Sequence, residues 1–166
     1  SSDLLANYPE LVTLPCYEWQ HVLVMPKNHP LAGVKQITLE RLHEHPLVTY
    51  HPSFTGRSRI DQAFAHQGLT PQIALEAIDS DVIKTYVSLG MGVGVVAEMA
   101  VQDGLPDQLI SRPAGQLFGT NTARVAFKRG SYLRHFVLEF AQMLSNRLSR
   151  DLVLKALEGR HTDYEL

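Results

Sequence analysis

A chain of 166 residues is long enough for one ordinary domain or a pair of small lobes, and its 45% apolar residues can fill a core. Charged residues make up 19% of the chain, the formal net charge is −2, and no run of Lys or Arg forms a stripe, which excludes a disordered polyelectrolyte and a surface that holds duplex DNA by itself. The single cysteine, Cys16, excludes an internal disulfide and fits a reducing compartment; no apolar stretch reaches bilayer-spanning length, and Ser1-Ser2-Asp3-Leu4-Leu5 lacks a basic-then-apolar leader, so the expectation is a soluble cytoplasmic protein with no membrane partner.

Leu11 to Leu14 and His21 to Met25 are β-rich runs, with Cys16-Tyr17-Glu18-Trp19 between them. Pro26 to Leu31 holds two prolines and predicts a turn, and Ile37 to His43 predicts a short helix capped by Thr38. Leu47 to Tyr50 is a strand. The polar turn Ser53-Phe54-Thr55-Gly56 leads into a helix from Thr55 to Gln67, with Ile60, Ala63 and Phe64 at helical spacing and Gly68 as its stop. Ile73 to Ala77 is the next strand. A second helix begins at Asp79-Ser80-Asp81, turns Val82, Ile83, Tyr86 and Val87 inward, and ends at Gly90. Gly92 to Val96 is a short buried strand, followed by a helical turn near Ala97 to Val101. Leu109 to Arg112 and Thr122 to Phe127 are further strands, and the 102–108 and 113–121 stretches are loops. From Ser131, the stripe Leu133, Phe136, Val137, Phe140 and Leu144 predicts an amphipathic helix; Ser149 caps a last one with Leu152, Val153, Ala156 and Leu157 inward. Strands alternating with helices predict an α/β fold with a largely parallel sheet.

The helix start near Thr55 is the richest site in this pattern. Unpaired N–H groups and a partial positive charge gather there, and hydroxyls beside a glycine let a small anion approach the backbone. Thr55 as a mere helix cap is the alternative. Ser80 opens a second helix after a strand, and in an open α/β sheet both starts lie beyond carboxyl ends of strands, where ligands bind. Trp19, the only tryptophan, suits a pocket wall or a core or interface position. Arg57 and Arg59 point in different directions on a helix and are expected to face solvent or a partner lobe.

Other motifs carry less. Gly90-Met91-Gly92-Val93-Gly94 follows a helix and enters a strand, the reverse of a dinucleotide loop, so no cofactor is expected; Gly92 and Gly94 read as close backbone packing. His43 and His45 flank Glu44 without a further metal ligand, Cys16 has no basic helper, and Ser53 and Ser58 lack a hydrolase context. No catalytic residue, no metal site and no enzymatic activity are expected.

Leu14-Pro15-Cys16-Tyr17-Glu18-Trp19, His29-Pro30-Leu31, Pro46-Leu47-Val48-Thr49-Tyr50, Phe54-Thr55-Gly56-Arg57-Ser58, Asp81-Val82-Ile83-Lys84-Thr85-Tyr86-Val87 and Gly90-Met91-Gly92-Val93-Gly94-Val95 occur in this order. Together they resemble the effector-binding domain of the CysB and Cbl branch of the LysR family of transcriptional regulators. The His-Pro-Leu turn and the Gly-x-Gly-Val-Gly segment are general to LysR proteins, whereas Phe-Thr-Gly-Arg-Ser and Asp-Val-Ile-Lys-Thr-Tyr-Val are specific to that branch. The resemblance covers nearly all of the chain and is weakest after Arg150.

That resemblance implies a periplasmic-binding-protein-like, type II, two-lobe domain with a small ligand between lobes. Residues 1–16 and 122–150 would form part of lobe one, incomplete in this chain; 17–121 would form all of lobe two, and 151–166 a C-terminal helix and tail. It implies effector sensing for sulfur assimilation, that is, cysteine biosynthesis and sulfonate use. The effector would be sulfate, thiosulfate or a related anion, or an inducer of the O-acetylserine type. Carried over by position, the ligand-binding residues would be Ser2, Trp19, Thr55 and Ser80; the family often has Thr in place of Ser2 and Ala in place of Ser80. DNA would be read only through a helix-turn-helix domain outside this chain, in a homodimer or homotetramer. Two other functions remain open: a solute-binding protein of an anion transporter, built on the same lobes, and an enzyme of sulfur or amino-acid metabolism. The sequence upstream of Ser1, a helix-turn-helix or a secretory signal, separates the first two.

Overall fold

In the computed structural model, residues 8–130, 134–145 and 148–157 are described, with the backbone alone at Thr55 and Phe136. In chain order these are β1 (Leu11–Pro26), α1 (Leu39–His43), β2 (Leu47–Tyr50), α2 (Thr55–His66), β3 (Ile73–Ala77), α3 (Ser80–Ser88), β4 (Val93–Ala97), a 3₁₀ turn (Glu98–Val101), β5 (Leu109–Pro113), the single-turn α4 (Gly115–Phe118), β6 (Thr120–Lys128), α5 (His135–Leu144) and α6 (Arg150–Leu157). The chain divides into two compact units, Ser1–Glu18 with Thr122–Leu166, and Trp19–Asn121.

β1 is one unbroken strand, so Cys16 to Trp19 continues the strand instead of interrupting it. Its first half buries alternate residues, Val12, Leu14 and Cys16; its second half buries His21 to Met25 without a break. The change marks a strand covered first on one face and then on both. Exposed Tyr17, Glu18 and Gln20 lie at the crossover.

In the unit Trp19–Asn121 the sheet order is β3-β2-β4-β1-β5. β2 runs parallel to β3 and β4, while β1 runs antiparallel to β4 and β5. The sheet is therefore mixed, with a parallel centre. Alternate residues of β1 serve opposite layers. Leu23 and Met25 pack with Leu42, Ile60 and Phe64 beneath α1 and α2, and Val22 and Val24 pack with Ile83 and Val87 beneath α3. Of the four residues expected to turn inward on α3, Val82 does not: it is exposed, and Ile83 and Val87 alone are fully buried. Gly92 and Gly94 are needed for space. A Cβ at Gly92 would overlap the Pro46 carbonyl, and one at Gly94 would stand 2.9 Å from Val87 Cγ2.

In the other unit, β1 also pairs with β6, and Leu14, Cys16, Phe127, Leu138, Ala141, Val153 and Leu157 form a core. The buried Cys16 thiol donates to the Leu144 carbonyl at 3.6 Å. Ser149 caps α6 as expected, its Oγ accepting from the Leu152 amide. The stripe expected to bury α5 holds only in part: Val137 packs against the core. Phe140 is 61% and Leu144 47% exposed, while Leu138 and Ala141 are buried. Each residue turns a helix by about 100°, so Phe140 points well away from Leu138. Ala141 of α5 and Ala156 of α6 lie in this core together with the larger Leu138, Val153 and Leu157. Ser131 and Leu133, the start of the expected stripe, and the tail beyond 157 lie outside the described residues. Among the described residues no helix is long and apolar enough to cross a membrane.

Candidate functional site

The parallel centre brings the chemistry to one edge. Tyr50, the last residue of β2, is in register with Ala77, the last of β3, so α2 and α3 both start beyond that edge. β4 ends there too, at Ala97, which lies opposite His21 of the antiparallel β1. One crossing strand thus delivers Trp19 and His21 to the carboxyl ends of three parallel strands.

The first turn of α2 is open. Its N-cap position is Phe54, with no side-chain cap and no acidic residue in the first turn, and Thr55 is the first helical residue and not the cap. The entry is fixed by the turn before it: the Phe54 amide donates to the His51 carbonyl at 3.0 Å, and the Ser53 amide donates to His51 Nδ1 at 3.2 Å. Arg57 corrects an expectation. It does not face solvent; it is buried, with Nε donating to Asp61 Oδ1 at 2.9 Å and Nη1 donating to the Tyr50 carbonyl at 2.9 Å and to Glu76 Oε1 at 2.6 Å. Its charge is neutralised internally, so it clamps α2 to the ends of β2 and β3 and is not available to an anion. Arg59 is exposed.

Trp19 lies against this turn. A Cβ at Gly56 would stand 3.0 Å from Trp19 Cη2 and 3.2 Å from His21 Nε2, so glycine is there because two rings occupy the space. His21 is fully buried, its ring edge-on to Trp19 at 4.9 Å and to Phe118 at 5.6 Å. Neither ring nitrogen meets a partner in hydrogen-bonding geometry among the described residues. Burial first, and the Arg59 charge second, push its pKa down to about 4, with the nearby Gly56 backbone pulling weakly the other way. His21 is therefore neutral at physiological pH: a buried polar ring under the first turn of a helix. It was not among the residues singled out from sequence; the available signal was a histidine at the head of the apolar run Val22 to Met25.

Ser80 is half-buried and is the first residue of α3, beyond the same sheet edge. That helix terminus is already occupied, since Asp79 caps it by accepting from the Asp81 amide at 2.6 Å. Two carboxylates there, Asp79 and Asp81, disfavour an anion, whereas α2 presents none. Ser2 lies outside the described residues. The structure thus brings Trp19 to the start of α2, sets Ser80 at the same edge, and adds His21. His45 stacks on His29 at 4.7 Å, but no three potential metal ligands cluster among the described residues.

The LysR substrate binding domain family matches residues 2–149. The chain belongs to that family. Over all 166 residues it is 48% identical to the HTH-type transcriptional regulator CysB of Burkholderia cenocepacia, covering 53% of that protein. It is 46% identical to the regulator SsuR of the same organism, over 90% of this chain and 48% of the relative. The solved cofactor-binding domain of the Cbl transcriptional regulator superposes with a TM-score of 0.84 at 43% identity, over 93% of this chain and 68% of that one. The chain spans about half the length of the curated relatives it matches. Its fold is the mixed α/β, periplasmic-binding-protein-like type II fold of LysR effector-binding domains.

Proposed function

We propose that this domain is the effector-sensing part of a regulator of sulfur assimilation, holding a sulfate-like anion at the start of α2. The observation that carries the reading is the state of that helix start: without a side-chain cap, free of acidic side chains in its first turn, and floored by Trp19 and by His21, whose ring nitrogens meet no side-chain partner among the described residues. Sulfate and thiosulfate are acceptors only, so they need N–H and O–H donors and no proton acceptor. Fixed backbone amides supply such donors, and charge-assisted bonds of this kind are roughly twice as strong as neutral ones. Thr55 would add a hydroxyl at the first position of the helix. Trp19 would close one side, and Ser2 and Ser80 would add hydroxyls from other segments. An inducer of the O-acetylserine type would use the same donors through its carboxylate.

Occupancy would control DNA binding by a helix-turn-helix domain outside this chain, within a cytoplasmic homodimer or homotetramer. The names of the relatives, HTH-type transcriptional regulators, support this reading over an anion transporter's solute-binding protein. Sedimentation of the full-length protein tests the assembly: a clean monomer at high concentration removes that part of the proposal.

Calorimetry with sulfate and thiosulfate on the full-length protein tests the site. Thr55→Ala is expected to weaken binding by about tenfold, the worth of one hydrogen bond to a charged group. Thr55→Ser, which keeps the hydroxyl, should lose much less. Equal affinity in wild type and Thr55→Ala rejects the role given to Thr55.

A further inference from the structure

We propose that a groove between α1, α2 and α4 is a second small-molecule site, taking an organic acid with a short apolar body. The groove has a volume of about 310 Å³, within the range of small-molecule pockets. Arg59, Gln62, Ala63 and His66 line it from α2 at i, i+3, i+4 and i+7, one face of that helix, and Leu117 and Phe118 line it from α4. No carboxylate is among the lining residues.

Arg59 supplies the charge. Arg57 is consumed by Asp61 and Glu76, and Arg112 donates to the Ala32 and Val34 carbonyls at 2.7 and 2.8 Å, but no ion pair joins Arg59 to an acidic side chain among the described residues. Its Nη1 is 3.6 Å from where a Cβ at Gly119 would lie, so the guanidinium reaches across to the end of α4, beside the apolar wall. A planar guanidinium in a groove that has an apolar wall and also carries Gln62, His66 and Gln67 suits a carboxylate whose apolar body lies against Leu117 and Phe118. The Gln62 amide can bond a second polar group on the ligand.

The groove adjoins the start of α2 through packed rings. Phe118 lines the groove and contacts His21, and His21 contacts Trp19 and Gly56. The Arg59 charge is also felt at His21. An occupant that neutralises Arg59 or shifts Phe118 therefore perturbs the residues that floor the first turn. Trp19, the only tryptophan of this chain, is a built-in reporter.

The test is calorimetry and tryptophan emission of the full-length protein with hexanoate, with hexylamine and hexanol as charge controls and Trp19→Phe to assign the emission change to Trp19. Saturable hexanoate binding is expected, with a change in Trp19 emission, no binding of hexylamine, and affinity about tenfold lower in Arg59→Gln. Thr55→Ala should bind hexanoate as the wild type does, so failure of the anion site leaves this result standing. No saturable binding, or undiminished binding in Arg59→Gln, overturns the site. Loss of binding in Thr55→Ala overturns it too, by placing hexanoate at the start of α2. Binding without a change in Trp19 emission overturns the coupling.

Discussion

Lowering the pH from 7.5 to 5 is expected to cost this domain about 2 kcal/mol of stability through His21 alone, and His21→Phe is expected to remove that dependence. Its folded pKa of about 4 lies below the ordinary 6.5 of an unfolded histidine. Above pH 6.5 both states carry a neutral ring and nothing is lost. As the pH falls below 6.5 the unfolded chain takes up a proton that the buried ring refuses, so the unfolded state gains. The loss grows until about pH 4, where the folded ring protonates as well. Each pKa unit of difference corresponds to about 1.4 kcal/mol, which sets the scale. Urea denaturation at both pH values measures it as the difference between wild type and variant. That difference matters because His29 is also held below its ordinary value, by burial and by His45, and contributes its own slope. Phenylalanine keeps a ring between Trp19 and Phe118; His21→Leu repeats the measurement without an aromatic. An unchanged slope in both variants refutes the burial argument for His21.

The regular elements of the sheet centre were legible because each carried its own punctuation. β2 and β3 begin and end where the runs Leu47 to Tyr50 and Ile73 to Ala77 do, and Asp79, Thr38, Gly68 and Gly90 mark helix ends by cap chemistry and positive φ. What the sequence hid was tertiary. The turn α4 lies in a segment whose glycines and proline read as loop, yet Phe118 at its end fills the core beside His21. The buried face of α5 departs from the apolar stripe in the sequence: Leu138 and Ala141 go in and Phe140 stays out. At the candidate site, Thr55 and Trp19 stood out as a hydroxyl at a helix start and a lone tryptophan. His21 and Arg57 did not, since nothing local distinguishes a buried histidine or a clamped arginine from exposed ones. Each has near partners, Asp61 and Tyr50 for Arg57 and Trp19 for His21, but also a distant one that completes its surroundings, Glu76 for Arg57 and Phe118 for His21.

Arg57→Met is expected to destabilise the domain by about 3 kcal/mol, more than any other single change considered above. Removing one member of a buried pair leaves its partners unmet, which typically costs about 3–5 kcal/mol. Here Asp61 and Glu76 are 45% and 34% exposed, so water recovers part of the loss and the lower end applies. The Tyr50 carbonyl loses its Arg57 donor altogether. Burial opposes the guanidinium charge, but the bonds it donates to Asp61 and Glu76 more than offset this and hold its pKa above the ordinary value. Methionine keeps much of the apolar stem, so the variant isolates the head group from the packing. Arg57→Lys keeps the charge but cannot reproduce the fork that reaches Tyr50, Asp61 and Glu76 together, and should fall between the two. Urea denaturation at low and high salt reads both effects. A clamp mostly out of water should lose little to salt, whereas an exposed pair would be screened. Because the clamp sets the first turn of α2 against the end of β2, Arg57→Met should also weaken sulfate binding without Arg57 touching the anion. A loss below about 1 kcal/mol would put Arg57 among ordinary surface ion pairs and leave the position of that turn to Gly56, Trp19 and His21.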